Sequence, residues 1–348
     1  MTWFMVVDKP IGLTSHDVVG IFRAVTGEPK VGHTGTLDPF ATGVLALAFG
    51  QATRLIQHLD ESLKVYDATI ALGAATDTGD PTGEVIETKP IPALDREHVL
   101  AVLHSFLGDR MQRPPAYSAV KVKGRALYSY ARAGETVEVA ARPIKVHSID
   151  LVELTDTHMR VTIHCSRGTY ARVIAEEVAV ALGTVGHLSA LSRLQSGPFK
   201  LEDAFTLDKL AELVGGEGMT WQQVFRGEGR TREDRAAWRP RDAVRAGLRP
   251  WLRAPLDALP HLPLIDVDEA GAARVRHGHV PSRLPPGRVS GAYLIACGAD
   301  VLGVAEATPR GPRMLAVLGG PPPRAVDATA SEALTGSAPT EAPPADAS

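Results

Sequence analysis

Cysteine is nearly missing: Cys165 and Cys297 are the only two in 348 residues and lie far apart, which leaves no disulfide framework and no zinc-ligand spacing. No run of 18 or more apolar residues occurs, and MTWFMVVDKP meets a Lys-Pro break at once. Neither a membrane span nor a secretory leader is expected, and the chain is assigned to the cytoplasm. A strong net charge is missing too. The formal value of -3 arises in the last 28 residues, which hold four acids and one Arg, so residues 1–320 are near neutral. Partners must therefore be read from local charge.

The hydrophobic fraction of 44% suits a chain able to bury a core, and 348 residues exceed one usual domain, so one large and one small domain are expected. The sequence is organised around KVGHTGTLDPFATGVLALAFG, residues 30–50. Gly32, Gly35 and Gly43, with Pro39, shape a tight loop. Its single carboxylate, Asp38, stands between Leu37 and Pro39. The apolar run VLALAF after it reads as a buried strand. Two readings of Asp38 stay open: a reactive carboxylate on a rigid loop, or the N-cap of a helix with Pro39 at its first position. A Walker-type phosphate loop fits badly, because no Gly-Lys-Ser/Thr follows the glycines.

Along the chain, FMVVDKP opens as a strand reaching Lys9, and Ser15 is expected to cap a helix carrying Val18, Val19, Phe22 and Val25 until Gly27. Residues 51–60 read as a short helix, and KVYDATIALG as a strand with Tyr66, Ala68 and Ile70 on one face. TDTGDPTGE is turn chemistry whose acid spacing misses the EF-hand pattern, and residues 95–107 form an amphipathic helix. Two strands, at about 144–154 and 159–165, lead into SRGTYARVIAEEVAVALG, a helix expected to be capped by Thr169. Arg172 falls in its first turn, where a cation gains nothing from the helix dipole, which points to a specific anion. HLSALSRLQSGPF reads as an edge or site-lining strand with Leu188, Ala190 and Arg193 alternating, and residues 205–214 as a helix. Residues 215–255 are linker-like and Arg-rich. From 260 to 319, short apolar pieces between Gly and Pro turns suggest a small β-barrel or sandwich. Residues 321–348, with six prolines and no aromatic residue, are expected to be disordered.

Between Arg110 and Lys145, eight Lys or Arg residues, among them Lys121, Lys123 and Arg125, face only Glu135 and Glu138, with Tyr117, Tyr128 and Tyr130 interleaved. Charges that meet phosphates and rings that offer stacking faces suit a nucleic acid; the bland alternative is a solvated hairpin with ordinary surface lysines. Such an excess of positive charge in an otherwise neutral body favours the nucleic-acid reading.

GHTGTLDPFATGVL, KVYDATIALGAATDTGDPTGEV, QRPPAYSAVKVKGRALYSYAR, CSRGTYARVIAEEVAVALG and HLSALSRLQSGPF resemble, in order and spacing, the motifs of the bacterial tRNA pseudouridine-55 synthases, the stand-alone TruB family. The resemblance covers about residues 4–200, and the weaker final segment is similar to that family's small PUA-type RNA-binding domain. It implies an α+β fold: a pseudouridine synthase catalytic domain over 1–215 with a central, mostly antiparallel mixed sheet and an RNA-gripping insertion at 110–145. An Arg-rich connector at 216–255, a PUA-like β-barrel domain at 256–320 and a disordered tail at 321–348 follow. The connector and the tail depart from the family pattern.

The implied activity is isomerisation of uridine-55 in the T-loop of tRNA, bound through T-loop and T-stem, by a monomer with no metal or organic cofactor. By resemblance, Asp38 is the nucleophile, Arg172 its partner, and Tyr66 the ring that stacks on the base and moves a proton late in the reaction. His33, Tyr170, Leu191, Lys9 and Arg193 are counted with the substrate-binding residues, as are Lys121, Lys123 and Arg125 of the insertion. These residue types suit the chemistry: a carboxylate can hold the nucleotide covalently while the base turns, a bidentate Arg offsets its desolvation, and a flipped base needs an aromatic platform. Two other readings remain, a guide-RNA-dependent synthase with the same loop and a non-catalytic RNA-binding or chaperone protein whose Asp38 only caps a helix.

Overall fold

Two neighbouring strands that are apolar on both faces carry the fold. In the computed structural model, which describes residues 2–60, 62–226, 238–281 and 291–319, β1 (Thr2–Lys9) is followed by α1 (Ser15–Thr26), β2 (Val31–His33) and β3 (Thr42–Gly50). The 321–348 tail and the middle of the Arg-rich connector lie outside the described residues. β1 and β3 pair antiparallel from Thr2↔Gly50 to Lys9↔Gly43. Because side chains alternate along a strand, Met5, Val7, Leu45 and Leu47 enter one core while Phe4, Val6, Val44 and Ala46 enter another on the opposite face. α1 packs Val18, Val19 and Phe22 into the first. Its N-cap is Thr14, in a capping box with Asp17, one residue before the expected Ser15.

After a 3-10 turn at residues 51–58 come β4 (Lys64–Leu72), the ribbon of β5 (Ala74–Thr76) and β6 (Val85–Thr88), α2 (Arg96–His104) and β7 (Gly108–Gln112). The basic insertion holds the hairpin β8 (Lys121–Val122) and β9 (Arg125–Ala126) and the short α3 (Leu127–Ala131). Then follow β10 (Arg142–Leu154), β11 (His158–Cys165), α4 (Ala171–Ala181), β12 (Gly186–Ser196), β13 (Phe199–Lys200), β14 (Phe205–Thr206) and α5 (Leu207–Gly215). The main sheet runs β14-β1-β3-β12-β4-β11-β10-β7, antiparallel except where β1 meets β14 and β3 meets β12. β12 is thus a central strand, not an edge.

The Arg-rich connector is built into this body. α6 (Trp221–Phe225) and α7 (Arg241–Leu248) bury Trp221, Val224, Val244 and Leu248 in the core of α1 and α5, and β15 (Leu252–Arg253) pairs with β1. The small C-terminal domain follows α8 (Pro255–Ala258) and contains β16 (Leu264–Asp266), α9 (Glu269–Arg276), β17 (Gly291–Cys297), β18 (Asp300–Thr308) and β19 (Gly311–Val317). The small β domain expected from the sequence is present, its described residues forming a four-stranded sheet in the order β16-β17-β18-β19. It docks on the far face of the main sheet, where Leu294, Ala296, Val304 and Leu318 share one apolar cluster with Phe4, Val6, Val44, Ala46 and Ala48.

Candidate active site

The loop between β2 and β3 carries Asp38, and it contains no helix, so Asp38 caps none. The N–H of Ala41 turns back onto the Asp38 carbonyl at 3.1 Å. The surrounding chain fixes this loop from several sides. The Ser15 hydroxyl accepts from the Leu37 N–H at 2.8 Å and donates to the Leu37 carbonyl at 3.2 Å, and the Gly12 N–H donates to the Pro39 carbonyl at 2.7 Å. From below, the Arg193 guanidinium donates to the carbonyls of Val44 (2.8 Å), Thr36 (3.3 Å) and Gly35 (3.1 Å). Lys9 Nζ donates to the carbonyls of Leu13 (2.7 Å), Pro10 (2.9 Å) and Pro39 (3.4 Å). Gly43 closes the loop at φ +97, where a Cβ would stand 2.3 Å from the Arg193 carbonyl oxygen, so only glycine fits.

Above the loop, Arg172 Nε lies 3.0 Å from Asp38 Oδ2. The remaining nitrogens are engaged elsewhere: Nη1 donates to the Thr78 carbonyl at 2.7 Å and Nη2 to the Tyr117 carbonyl at 2.8 Å. Nη1 also stands 3.8 Å from Asp80 Oδ2. The bidentate grip expected from the sequence is therefore replaced by an Nε contact, the Nη pair being given to carbonyls. Arg172 is almost fully buried, at the unfavourable positive end of α4, and these acceptors are what makes that placement tolerable. The cap of α4 is Tyr170 rather than Thr169. Its main chain is gripped by Gln112, which accepts from the Tyr170 N–H at 2.7 Å and donates to its carbonyl at 3.1 Å.

Asp38 opens into a cleft of about 380 Å³, the size range of a small-ligand site. Burial pushes the Asp38 pKa up; Arg172 opposes this, Asp80 adds to it, and Lys9 opposes it again. Tyr66 and Leu191 line the cleft with Tyr170, Arg193 and the insertion segment Ser118–Val120. The Tyr66 pKa is raised by burial and drawn down by Arg193 beside it. Leu191, not Ala190, faces the cleft because a bulge between Leu188 and Ala190 shifts the phase of β12.

Two of the expected substrate contacts are placed differently. Lys9 is fully buried, its ammonium group turned onto backbone carbonyls, and burial lowers its pKa to about 8. Arg193 touches the cleft but is 2% exposed and spends its guanidinium on the loop carbonyls. Both hold the loop. His33 ends β2 and is not among the residues lining the cleft. In the insertion Lys121 and Lys123 are exposed, whereas Arg125 pairs with Glu135 at 2.9 Å and stacks 4.3 Å above the Tyr130 ring. Asp80 and Gln112 escape sequence reasoning as site residues: the first looks like turn chemistry, and the second only opens the QRPPAYSAV motif.

Among solved structures, a Cbf5–Nop10–Gar1 complex is 25% identical with a TM-score of 0.58, covering 91% of this chain and 84% of that one. An H/ACA ribonucleoprotein bound to a substrate RNA containing 2′-deoxyuridine, 22% identical with a TM-score of 0.59 over 91% and 85% of the two chains, is alike in fold. The profile described as TruB family pseudouridylate synthase (N terminal domain) matches residues 23–171. The fold is that of a pseudouridine synthase. The tRNA pseudouridine synthase B of Geobacter sulfurreducens is 43% identical over 283 residues, spanning 81% of this chain and 84% of the relative. That of Francisella tularensis subsp. novicida is 46% identical over 210 residues, 60% and 70% of the two. The chain belongs to the TruB family of pseudouridylate synthases.

Proposed function

We propose that this chain isomerises uridine-55 in the T-loop of tRNA, as a monomeric cytoplasmic enzyme working without guide RNA, metal or organic cofactor. The supporting observation is the 3.0 Å contact of Arg172 with a lone loop carboxylate, Asp38, in a cleft walled by Tyr66 and Leu191. The relatives named tRNA pseudouridine synthase B support tRNA as substrate. Among the described residues no helix is long and apolar enough to cross a membrane.

The chemistry is a bond exchange at one ribose carbon. An Asp38 oxygen bonds to the nucleotide as the bond between C1′ and N1 breaks. The freed uracil turns against Tyr66 and Leu191, C5 joins C1′, and the bond to Asp38 is released. C5 gives up its proton and N1 gains one, so the product is an isomer. Arg172 keeps the carboxylate aimed, and Tyr66 is the aromatic platform for a base taken out of its stack. Burial keeps the Tyr66 hydroxyl protonated, so its proton transfer leans on the adjacent Arg193 cation. Arg193 and Lys9 act as positioning residues of the loop.

Release of tritium from C5-labelled uridine in a tRNA transcript, with no other RNA or protein, is the direct test. The wild-type protein should release it alone, while Asp38→Asn should keep fold and tRNA binding and release none. Release by cleanly purified Asp38→Asn would overturn the assignment. The likeness to Cbf5 complexes favours, as a second reading, a synthase that needs a guide RNA; activity on the tRNA transcript with no other RNA present excludes it.

A further inference from the structure

The Arg172 guanidinium holds three separate segments together. Nε meets the Asp38 loop at 3.0 Å, Nη1 the Thr78 carbonyl at 2.7 Å, and Nη2 the Tyr117 carbonyl at 2.8 Å. Thr78 belongs to the turn between β5 and β6, and Tyr117 to the basic insertion. Those two segments are also joined directly, because the Tyr117 hydroxyl donates to Asp77 Oδ2 at 3.3 Å. The other oxygen of Asp77 accepts from the Glu84 N–H at 2.9 Å, which locks the turn. Tyr117 is thus held at both ends: its hydroxyl fixes its position on the turn, and its carbonyl presents that position to Arg172.

Two further observations concern the segment around Tyr117. The neighbouring Ser118 hydroxyl, on the cleft wall, is buried without a hydrogen-bond partner among the described residues, a state that a polar group keeps at a cost unless another arrangement satisfies it. Within the insertion, between Tyr117, Tyr130 and the 134–139 stretch and bordered by Asp77, lies a recess of about 540 Å³. The segment that carries Tyr117 is thus not packed solid on that side.

We propose that Tyr117 is a positioning residue that couples the seating of the 110–145 insertion on RNA to the orientation of Arg172 and, through it, of Asp38. This inference rests on the proposed function, since it assigns the insertion to RNA and Asp38 to the reaction. RNA seated on the insertion holds the Tyr117 carbonyl on Nη2 and so keeps Nε on the carboxylate, contacts that stand at 2.8 Å and 3.0 Å in the structure. The charged groups facing Asp38 are Arg172 from α4, Asp80 from the turn and Lys9 from β1, and only Arg172 is reached through Tyr117.

The test is a double-mutant cycle of Tyr117→Phe and Asp77→Ala, read by single-turnover pseudouridine formation, by tRNA affinity and by the pH dependence of the rate. Each single variant should slow the step about three- to ten-fold, the range of one exposed hydrogen bond of ordinary strength, with tRNA affinity unchanged. The double variant should be no slower than Asp77→Ala alone, because that variant already deletes the Tyr117 link along with the Glu84 contact. The acidic limb should move to higher pH in each, as a misaligned Arg172 stabilises the Asp38 carboxylate less; a purely structural defect would not move it. A Tyr117→Phe enzyme with the wild-type rate and limb overturns the inference. So does a loss that tracks weaker tRNA binding and adds in full to that of Asp77→Ala. An inactive wild-type protein would overturn the functional reading, and this inference with it.

Discussion

Asp38 is held where ionisation is costly. Burial raises its pKa above the ordinary 3.8, and Arg172 recovers only part of the difference. A nucleophile must be ionised, so activity should fall as pH drops through this raised value, with the acidic limb of the single-turnover rate above the ordinary aspartate range. A limb at or below 3.8 would place the essential carboxylate elsewhere. The stability sign follows from the same direction. A carboxyl whose folded pKa exceeds its unfolded one weakens the folded state progressively as pH rises through the two values. Asp38→Asn is free of that penalty. The difference in Tm between Asp38→Asn and wild type should therefore shift in favour of the variant as pH rises above the ordinary 3.8, a trend to be followed by thermal melts.

At the scale of elements, the insertion divides into residues that face outward and residues that hold it together. Lys121 and Lys123 are exposed, so neutralising both should lower the slope of log tRNA affinity against log salt by about 1.4 to 1.8, at about 0.7 to 0.9 for each phosphate no longer neutralised. Salt titrations of Lys121→Ala/Lys123→Ala measure this, and an unchanged slope would make the stretch an ordinary solvated surface. Arg125→Ala should instead unsettle the hairpin, since Arg125 binds Glu135 and the Tyr130 ring. β4 and α4 were legible because apolar residues recur at strand and helix period along them, and the VLALAF run was legible as a buried strand. For Asp38 the neighbouring residues left a helix cap and a reactive loop carboxylate both open, and only the family motifs point to the second. The phase of Leu191 was hidden because a bulge defeats a period-two count. Lys9 and Arg193 look like RNA contacts in the sequence, but their acceptors include Pro39, Val44, Thr36 and Gly35, far away along the chain. Composition alone made the connector a linker, although Trp221, Val244 and Leu248 anchor it in the core.

At the scale of the molecule, the C-terminal domain covers an apolar face rather than hanging from a tether. Phe4, Val6, Val44 and Leu55 are buried in a cluster completed by Leu259, Leu294 and Leu318, and Arg54 Nη1 donates to the Val317 carbonyl at 2.7 Å. Burying one large apolar side chain is worth about 1.5 to 3 kcal/mol, so stripping that face consumes much of the roughly 5 to 15 kcal/mol that stabilises a domain. Deleting residues 260–348 should therefore lower the Tm and promote aggregation as well as weaken tRNA binding. A soluble deletion variant with the wild-type Tm would refute this account of the interface. β1 also pairs with β15, from residues 252–253, and shares its second core with residues as late as Leu318. During synthesis β1 precedes the last side chains that cover its outer face by some 300 residues, an interval of about 15 to 60 s at about 5 to 20 residues per second. For that time the nascent chain presents the bare face of β1 and β3 to the cell, which makes the ribosome-bound polypeptide, rather than the finished enzyme, the form most in need of a chaperone.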